Sequence, residues 1–420
     1  MSGPSREHGQ DPAGRGDVDG IETLSPVADA IVANAVPGLP VPGARLRVAW
    51  LGHKSATAGD GVTTYSREIT NGLRARGVGV VFFHHAVGMV DDESVAMEAL
   101  FKTPRFTVHR PRTTRQLSDT LLRREVDVVH VSLSFSTIDF SLPRLCHKLG
   151  IPIVATFHIP FDTRFNIWGA ATKGLYRVYA QAPLSECDSV IIFGDRQREI
   201  LISMGVPERV IHVLPNGVDV DRYTPGESLK RNEFGAERLF TYLGRVDSEK
   251  NVEVLLRAFM DADPRDSLHL VIIGGGTERR RLERRYHDPR IHFTGIITND
   301  AAKIEMLRAS DAFFLPSSIE GLSLSMLEAM ACGVATVVTD VGSDGDAVRG
   351  AGIVLDPTAL QPELTAAIRL LAEMPELCAV MGAMARARAV ERYSLARNLD
   401  GLIGLYEDLA GSRAVAPRPR

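Results

Sequence analysis

The chain has 420 residues with 45% hydrophobic and 24% charged side chains, which is ordinary for a globular protein long enough to form two domains. Its net charge of -4 favours no nucleic-acid partner, and it contains no apolar run of the kind that spans a membrane. The N-terminus lacks a basic segment followed by an uninterrupted apolar core, so we expect no signal peptide.

The cysteines stand far apart along the chain, each in an apolar or helical context. They are Cys146, Cys187, Cys332 and Cys378. None of them has the CxxC or Cys/His spacing of a metal site, so we expect reduced thiols in the core of a cytoplasmic protein.

The first part of the chain predicts a tail followed by a parallel sheet. Residues 1–44 are rich in Gly, Pro and Asp without periodicity, which predicts disorder. Beyond them, short apolar strands alternate with helical segments, a pattern typical of a parallel sheet covered on both faces. The predicted strands are 46–51, 78–84, 127–131, 152–156 and 189–193, and the predicted helical segments include 62–76 and 114–124.

A turn-rich stretch, "VLPNGVDVDRYTPGES" at 213–228, separates this region from a second alternating series. The strands predicted there are 238–244, 268–276, 290–295, 312–318 and 335–342. We therefore predict two Rossmann-like domains, with the site in the cleft outside the carboxyl ends of their strands. The expected boundaries are 45–214 for the first domain, 215–390 for the second, 391–410 for a helix that packs back on the first domain, and 411–420 for a disordered tail.

Glycines cluster where predicted strands end. Gly59 and Gly61 precede a helix in the first domain, and residues 274–276 are all Gly in the second. Glycines at such turns let backbone approach a ligand, and a helix N-terminus attracts an anion. Neither cluster completes G-x-G-x-x-G, which disfavours a dinucleotide oxidoreductase, and each taken singly is a tight turn.

Two cations follow the first strand of the second domain, in "YLGRVDSEKN" at 242–251. Arg245 and Lys250 stand at the carboxyl end of that strand, opposite a helix start, where they suit a diphosphate. The alternative is a pair of surface cations that bind Asp247 and Glu249.

Two acids, Glu320 and Glu328, flank the start of a helix that is apolar or small at nearly every position from Leu324 onward. A helix apolar all round is normally buried, and buried carboxylates need a partner. Carboxylates do not bind phosphate without a metal, so we expect these two to face hydroxyl groups. A diphosphate between two polyols is a nucleotide sugar.

The motifs of the second domain resemble those of the retaining glycosyltransferases of family 4. The matching segments are "PNGVD" (215–219), "GRVDSEKN" (244–251), "IIGGGTERRRLE" (272–283), "TG" (294–295) and "EGLSLSMLEAMACGVATVVTDVG" (320–342). The resemblance extends over about residues 45–410. It implies the α/β GT-B fold, in which two Rossmann-like domains face each other across a cleft.

The resemblance also implies roles for individual residues. Arg245 and Lys250 would hold the diphosphate and stabilise the charge that develops as the sugar departs, and Glu328 would bind the ribose. Glu320 would lie beside the transferred sugar. The remaining donor-binding residues that we expect are Gly61, Gly274, Gly295, Gly321, Leu322, Ser323 and Leu324, the last three through their backbone N–H groups.

Two positions depart from the family pattern. Ser323 stands where the family often has a glycine, which narrows the expected sugar pocket. His158, at the end of the strand in "VATFH" (154–158), matches the histidine that reaches the donor sugar, but Ile159 and Pro160 follow where many members have Asp. A satisfied core histidine is the alternative at position 158.

The resemblance implies a retaining hexosyltransferase that needs no metal or other cofactor. "DVD" at 219–221 imitates the D-x-D of metal-dependent glycosyltransferases but lies in the turn between the domains. Two alternatives remain open at this stage: a glycosyl phosphorylase of the same fold, and a non-catalytic subunit that binds a nucleotide sugar.

The acceptor, which the N-terminal domain normally holds, is undetermined among a sugar, a lipid and a small molecule. Residues 45–214 contain 21 Lys+Arg against 16 Asp+Glu, and "RFNIWGAATKGLYRVYA" (164–180) mixes aromatic residues with Lys173 and Arg177. Such a mixture fits peripheral contact with an anionic membrane at its inner face, or a solvated helix face over core aromatics.

Overall fold

A computed structural model gives the fold of this chain. The residues that it describes are 46–52, 61–84, 94–97, 99–102, 107–133, 136–158, 174, 177–178, 181–263 and 267–414. The predicted N-terminal tail at 1–44 and the end of the chain at 415–420 lie outside the described residues, as does most of the segment 164–180.

The described residues of the N-terminal half form nine strands. They are β1 (Arg47–Leu51), β2 (Gly79–His84), β3 (Ser94–Ala96), β4 (Ala99–Lys102), β5 (Thr107–His109), β6 (Val128–Ser132), β7 (Ile153–Thr156), β8 (Ser189–Ile192) and β9 (Ile211–Val213). Seven of them form one parallel sheet in the order β3-β2-β1-β6-β7-β8-β9. Strands β4 and β5 pair separately and antiparallel. The order reverses direction at β1, so the crevice for a ligand lies at the carboxyl ends of β1 and β6.

Four described helices accompany this sheet. They are α1 (Gly61–Ala75), α2 (Pro111–Arg123), α3 (Thr137–Lys148) and α4 (Asp195–Ser203). Helix α3 begins at a capping box, in which the Asp139 carboxylate accepts hydrogen bonds from the N–H and hydroxyl groups of Ser136 at 2.8 and 2.9 Å. Helix α2 buries Leu117 and Leu121 and turns its arginines outward.

The C-terminal half repeats the architecture with a six-stranded parallel sheet. Its strands are β10 (Arg238–Leu243), β11 (Leu268–Ile273), β12 (Ile291–Gly295), β13 (Ala312–Leu315), β14 (Ala335–Thr339) and β15 (Ile353–Leu355), in the order β12-β11-β10-β13-β14-β15. Here the order reverses between β10 and β13, whose carboxyl ends lie side by side.

Eight helices complete the described chain. They are α5 (Val252–Ala262), α6 (Arg279–Arg285), α7 (Asp300–Arg308), α8 (Leu324–Ala331), α9 (Asp344–Val348), α10 (Leu360–Glu373), α11 (Pro375–Arg392) and α12 (Leu395–Ala414). Helix α8 is buried at every position from Met326 to Ala331, as its apolar sequence predicts.

The last helix joins the two halves. Leu399, Leu402 and Tyr406 of α12 belong to the same hydrophobic cluster as Val48 and Trp50 of β1. Val48, Trp50, Leu402 and Tyr406 are fully buried, and Leu399 is almost so. Burial of apolar area of this kind supplies most of the stabilisation of a folded chain. The C-terminal helix is therefore an integral part of the N-terminal half.

The prediction of two Rossmann-like sheets is confirmed, and each predicted strand overlaps an observed one. Strands β3, β9 and β15 and the β4–β5 pair were not predicted, and all of them except β4 have only three residues, too few to show periodicity. The final helix starts at Leu395 and ends at Ala414, four residues later at each end than the predicted 391–410. All four cysteines are buried free thiols, as expected.

Within the described ranges, no helix combines the length and the apolar character that crossing a bilayer requires.

Candidate functional site

The switch point of the C-terminal sheet brings the predicted phosphate and sugar residues together. Residues after β10 form a single turn of 3-10 helix at Ser248–Lys250, and residues after β13 form the loop that carries Glu320. The two segments are joined directly, because the N–H and hydroxyl of Ser318 donate to the Glu249 carbonyl at 2.8 and 3.0 Å. Parallel neighbours in the sheet thus place Lys250 beside Glu320 although 70 positions separate them.

Lys250 and Glu320 form a largely buried ion pair at this junction. The Lys250 ammonium donates to the Glu320 carboxylate at 2.5 Å, and the Ser317 hydroxyl donates to the same oxygen at 2.7 Å. The two charged side chains are only 13% and 12% exposed. The partner that the sequence left open for Glu320 is therefore a lysine of the predicted phosphate site.

Arg245 is more exposed than Lys250 and pairs with acids of its own segment. Its guanidinium, 49% exposed, contacts the carboxylate of Asp247 and that of Glu249, the latter at 2.7 Å. Asp247 also accepts hydrogen bonds from the N–H and hydroxyl of Thr277 at 2.8 and 2.9 Å. The surface-pairing alternative for Arg245 therefore matches its observed contacts, and a diphosphate bound there would have to replace these two acids.

The second acid, Glu328, is buried and held by a lysine that sequence reasoning missed. The Lys303 ammonium on α7 donates to Glu328 at 2.7 Å, lies 3.4 Å from Asp300, and sits 5.1 Å from the ring centre of Tyr223. Burial, reinforced by the negative charge of Glu328, raises the pKa of the Tyr223 phenol far above its usual value. Glu328 and Lys303 therefore form a second pair of opposite charges in the C-terminal half.

The predicted glycines allow backbone segments to pack against each other. Gly274 has a φ of 143°, and a Cβ placed there would overlap the Gly244 carbonyl. Gly295 has a φ of 77°, and a Cβ there would lie 3.4 Å from the Arg279 guanidinium. Gly61 is the first residue of α1, while Gly59 lies outside the described residues.

The loop before α8 touches the N-terminal half at Gly321. A Cβ on Gly321 would lie 3.6 Å from the Phe193 ring and 3.7 Å from the carbonyl oxygen of His158. The imidazole of His158 meets the Tyr65 ring edge-on at 4.6 Å and the Phe193 ring at 5.3 Å between centroids. His158 therefore lies at the interface of the two halves, beside the loop that the sequence assigned to the donor sugar.

The remaining residues of this loop are fixed by hydrogen bonds within the chain. Leu322 is buried, and its carbonyl accepts from the side chain of Asn216 at 2.8 Å. The Ser323 N–H donates to Asp344 at 2.8 Å, so this N–H has a partner within the chain. Leu324 starts α8 and packs against the hydrophobic cluster of the N-terminal half.

The "DVD" segment has a structural explanation. The Asp219 carboxylate accepts the N–H groups of Asp221 and Arg222 at 3.2 and 3.0 Å, which is a local turn. Across the described residues, no group of three or more His, Cys, Asp and Glu side chains is arranged to hold a metal ion.

Two family models account for most of the chain. One, described as Glycosyltransferase Family 4, matches residues 59–222, and the other, Glycosyl transferases group 1, matches residues 227–388. The chain belongs to glycosyltransferase family 4.

Relatives of this family member carry different activities in their names. A D-inositol 3-phosphate glycosyltransferase of Rhodococcus jostii is 29% identical over 281 residues, which cover 62% of each chain. A GDP-mannose-dependent alpha-mannosyltransferase of Mycolicibacterium smegmatis is 29% identical over 299 residues, 69% of this chain and 75% of the relative. The match thus spans about three fifths of the first relative's length, 62%.

Solved structures confirm the fold of this family 4 chain as GT-B. Anabaena HepE in complex with UDP-glucose superposes with a TM-score of 0.70 at 17% identity, covering 87% of this chain and all of that one. At that identity the likeness concerns the fold alone.

Three site residues escaped sequence reasoning in this family 4 chain. Lys303 contacts Glu328 from a helix that carries no recognisable signal of its own. Asn216 contacts Leu322 from the "PNGVD" motif, which carried the resemblance but assigned no role to this residue. Asp344 lies in "VGSDGDAV", just beyond the motif that carried the resemblance. The same segment contains a second acid, Asp346, so the sequence alone did not single out Asp344.

Proposed function

We propose that this chain transfers a hexose from a nucleoside-diphosphate sugar to an acceptor, with retention of anomeric configuration. The observation that supports it most is the Lys250–Glu320 pair beside Arg245 at the switch point of the C-terminal half, which we call the donor half. Here a cation suited to the diphosphate contacts an acid suited to the sugar hydroxyls. A nucleotide sugar presents these two groups side by side.

Donor binding exchanges the partners of these ions. The diphosphate oxygens take the place of Asp247 and Glu249 at the Arg245 guanidinium and accept from Lys250. Glu320 then accepts hydrogen bonds from the sugar hydroxyls. As the glycosidic bond to phosphate breaks, negative charge grows on the leaving diphosphate, where Arg245 and Lys250 stabilise it.

The second pair serves the ribose. Glu328 accepts hydrogen bonds from the ribose hydroxyls while Lys303 keeps the buried carboxylate neutralised. The base and the sugar are both open, since one relative is named for GDP-mannose and one solved structure contains UDP-glucose. A thermal-shift screen of UDP, GDP and ADP sugars identifies the donor, because a ligand that binds only the folded state raises its Tm.

We call the loop before α8, residues 316–323, the donor loop. The acceptor side lies across the cleft from it, where His158 meets the donor loop at Gly321. We propose that His158 contacts the transferred sugar and that no metal takes part. Water-excluding contacts of His158 with Tyr65 and Phe193 favour transfer to the acceptor over hydrolysis.

Product analysis tests this function. Purified protein is expected to release nucleoside diphosphate from its nucleotide sugar, slowly with water and faster with acceptor, and the product should keep the donor's anomeric configuration by NMR. EDTA should leave the rate unchanged. An inverted product, or activity lost in EDTA and restored by Mn²⁺ or Mg²⁺, contradicts the proposal. Phosphate-dependent release of a sugar 1-phosphate from a glycoside supports a phosphorylase instead.

A further inference from the structure

A buried carboxyl lies directly behind the donor loop. Asp344, the first residue of α9, is only 1% exposed. One carboxyl oxygen accepts the Ser323 N–H at 2.8 Å. The other oxygen is buried and has no hydrogen-bond partner in the described part of the chain. A buried polar atom without a hydrogen bond destabilises the folded state, so a functional reason for the buried Asp344 carboxyl is expected.

Asp344 belongs to a close contact between two loops. The N–H of the preceding Ser343 donates to the Gly321 carbonyl at 2.7 Å. Gly342 has a φ of 58°, and a Cβ there would overlap the carbonyl oxygens of Glu320 and Gly321. The loop before α9 thus packs against the donor loop at Glu320, Gly321 and Ser323, and Asp344 supplies the side-chain contact in this packing.

The charges that face Asp344 come from three neighbouring elements. Burial, followed by the negative charge of Glu320, raises the pKa of the Asp344 carboxyl well above its usual value, against the opposing effects of the Ser323 N–H and the Lys250 ammonium. Tyr393, at the end of α11, is also near enough for the Asp344 charge to help raise its pKa, although burial is the main cause there. The raised pKa favours the neutral form of the Asp344 carboxyl, which is close enough to Glu320 and Lys250 to feel both of their charges.

We propose that Asp344 is a positioning residue of the donor site, which fixes Ser323 in the sugar-facing loop and controls how strongly Lys250 attracts the diphosphate. The inference rests on the proposed function. While Asp344 is neutral, Glu320 is the acid that the diphosphate displaces from Lys250. Ionised Asp344 would add a second negative charge beside the incoming phosphates and weaken their binding. Donor affinity should therefore fall as the pH rises.

The ligand-free protein gives a test that does not depend on activity. A carboxyl whose pKa is raised by folding lowers the stability of the folded state as pH rises above its unfolded value of about 4. Asp344→Asn mimics the neutral acid, so its Tm should exceed that of the natural protein by a margin that grows from about pH 5 to about pH 8. Asp346→Asn, at an exposed acid of the same helix, should show no such margin. A margin that does not change with pH overturns the neutral-acid assignment.

Donor binding gives the second test. The KM for the donor, or the Kd for UDP or GDP, should rise with pH in the natural protein and in Asp346→Asn but stay flat in Asp344→Asn. Asp344→Ala, which also removes the acceptor for Ser323, should raise the donor KM roughly fivefold to tenfold, the effect of one lost hydrogen bond, with kcat little changed. Equal pH dependence in Asp344→Asn and the natural protein overturns the proposal. A protein without transferase activity on any donor contradicts the proposed function, while the unfolding experiment still decides the state of Asp344.

Discussion

The two cations assigned to the diphosphate differ in how much the fold depends on them. The Lys250 side chain is largely buried against Glu320, whereas the Arg245 side chain is half exposed against Asp247 and Glu249. Removing one partner of a buried pair leaves an uncompensated charge, while exposed pairs contribute little to stability. Loss of either cation is expected to affect the diphosphate, but only loss of Lys250 is expected to destabilise the fold strongly.

Alanine substitutions should separate these two effects. Lys250→Ala and Arg245→Ala should each lower kcat by roughly 10²–10³-fold, because each removes a charge that faces the departing diphosphate. Lys250→Ala should also lower the free energy of unfolding by about 3–5 kcal/mol, whereas Arg245→Ala should change it by less than about 1 kcal/mol. Steady-state kinetics and urea unfolding measure the two quantities.

Lys230→Ala is the matched control, because Lys230 pairs with Glu233 at the surface of the same half. It should change neither kcat nor stability appreciably. The double variant Lys250→Met with Glu320→Gln should recover most of the lost stability without activity, since it leaves no buried charge. Near-normal kcat in either single variant would remove that cation from the phosphate site.

Pairing at the residue level was only partly predictable from the sequence. The positions of Arg245, Lys250, Glu320 and Glu328 followed from motif spacing. Their partners did not, since Lys303 reaches Glu328 from another helix and Asp344 reaches Ser323 from another loop. A hydrogen bond between distant residues depends on packing, which no local pattern records.

At the level of elements, the site depends on loops whose backbones nearly touch. The turn after β11 passes over the turn after β10, and Gly274 adopts a φ of 143° that side chains rarely allow. Sequence patterns predicted these turns because glycines follow the strands. They did not show that Gly274 packs against the backbone of Gly244.

Two glycine-to-alanine substitutions should therefore have opposite signs. Gly274→Ala should lower stability by more than about 1 kcal/mol and raise the donor KM, because its Cβ collides with the Gly244 carbonyl. Gly404→Ala, in the interior of α12 with open space around its Cβ, should raise stability by about 0.5–1 kcal/mol. Urea unfolding of the two variants measures both. A Gly274→Ala protein as stable as the natural one would mean that the two turns can move apart.

On the scale of the whole molecule, contacts between remote parts of the chain hold the halves together. The imidazole of His130 on β6 bonds the Tyr406 hydroxyl of α12 at 2.5 Å and the Thr156 hydroxyl at 2.7 Å, all in the core. Arg222, between the halves, binds Glu68 of α1 at 2.9 Å and Asp300 of α7 at 3.2 Å. His130 and Tyr406 are 276 positions apart, and a single sequence does not show that two such distant residues are in contact.

Several of the basic residues in the N-terminal half are exposed where the structure describes them. Arg112, Arg115 and Arg123 of α2 are exposed, and so is Arg177. Lys173, the other cation named from the sequence, lies outside the described residues. An exposed cationic face on the N-terminal half would suit an acceptor carried by an anionic membrane, and we propose peripheral contact on that basis.

Vesicle sedimentation tests this contact. The protein should sediment with vesicles that contain anionic lipid and not with neutral ones, and binding should weaken from about 50 mM to about 500 mM salt as screening increases. Each Lys or Arg close to the surface contributes on the order of 1 kcal/mol. Arg112→Glu with Arg115→Glu should therefore abolish most of the binding, because the double substitution replaces two attractive charges with two repulsive ones.

The control makes the same charge change on the other half of the molecule. Arg280 and Arg284 are exposed on α6 of the donor half, so Arg280→Glu with Arg284→Glu alters net charge equally without touching α2. If the N-terminal half faces the membrane, this variant should retain most of the binding. Equal loss in both variants would show that overall charge and not a particular face governs attraction. No anionic-lipid preference at low salt would leave α2 as a solvated surface and favour a sugar or small-molecule acceptor.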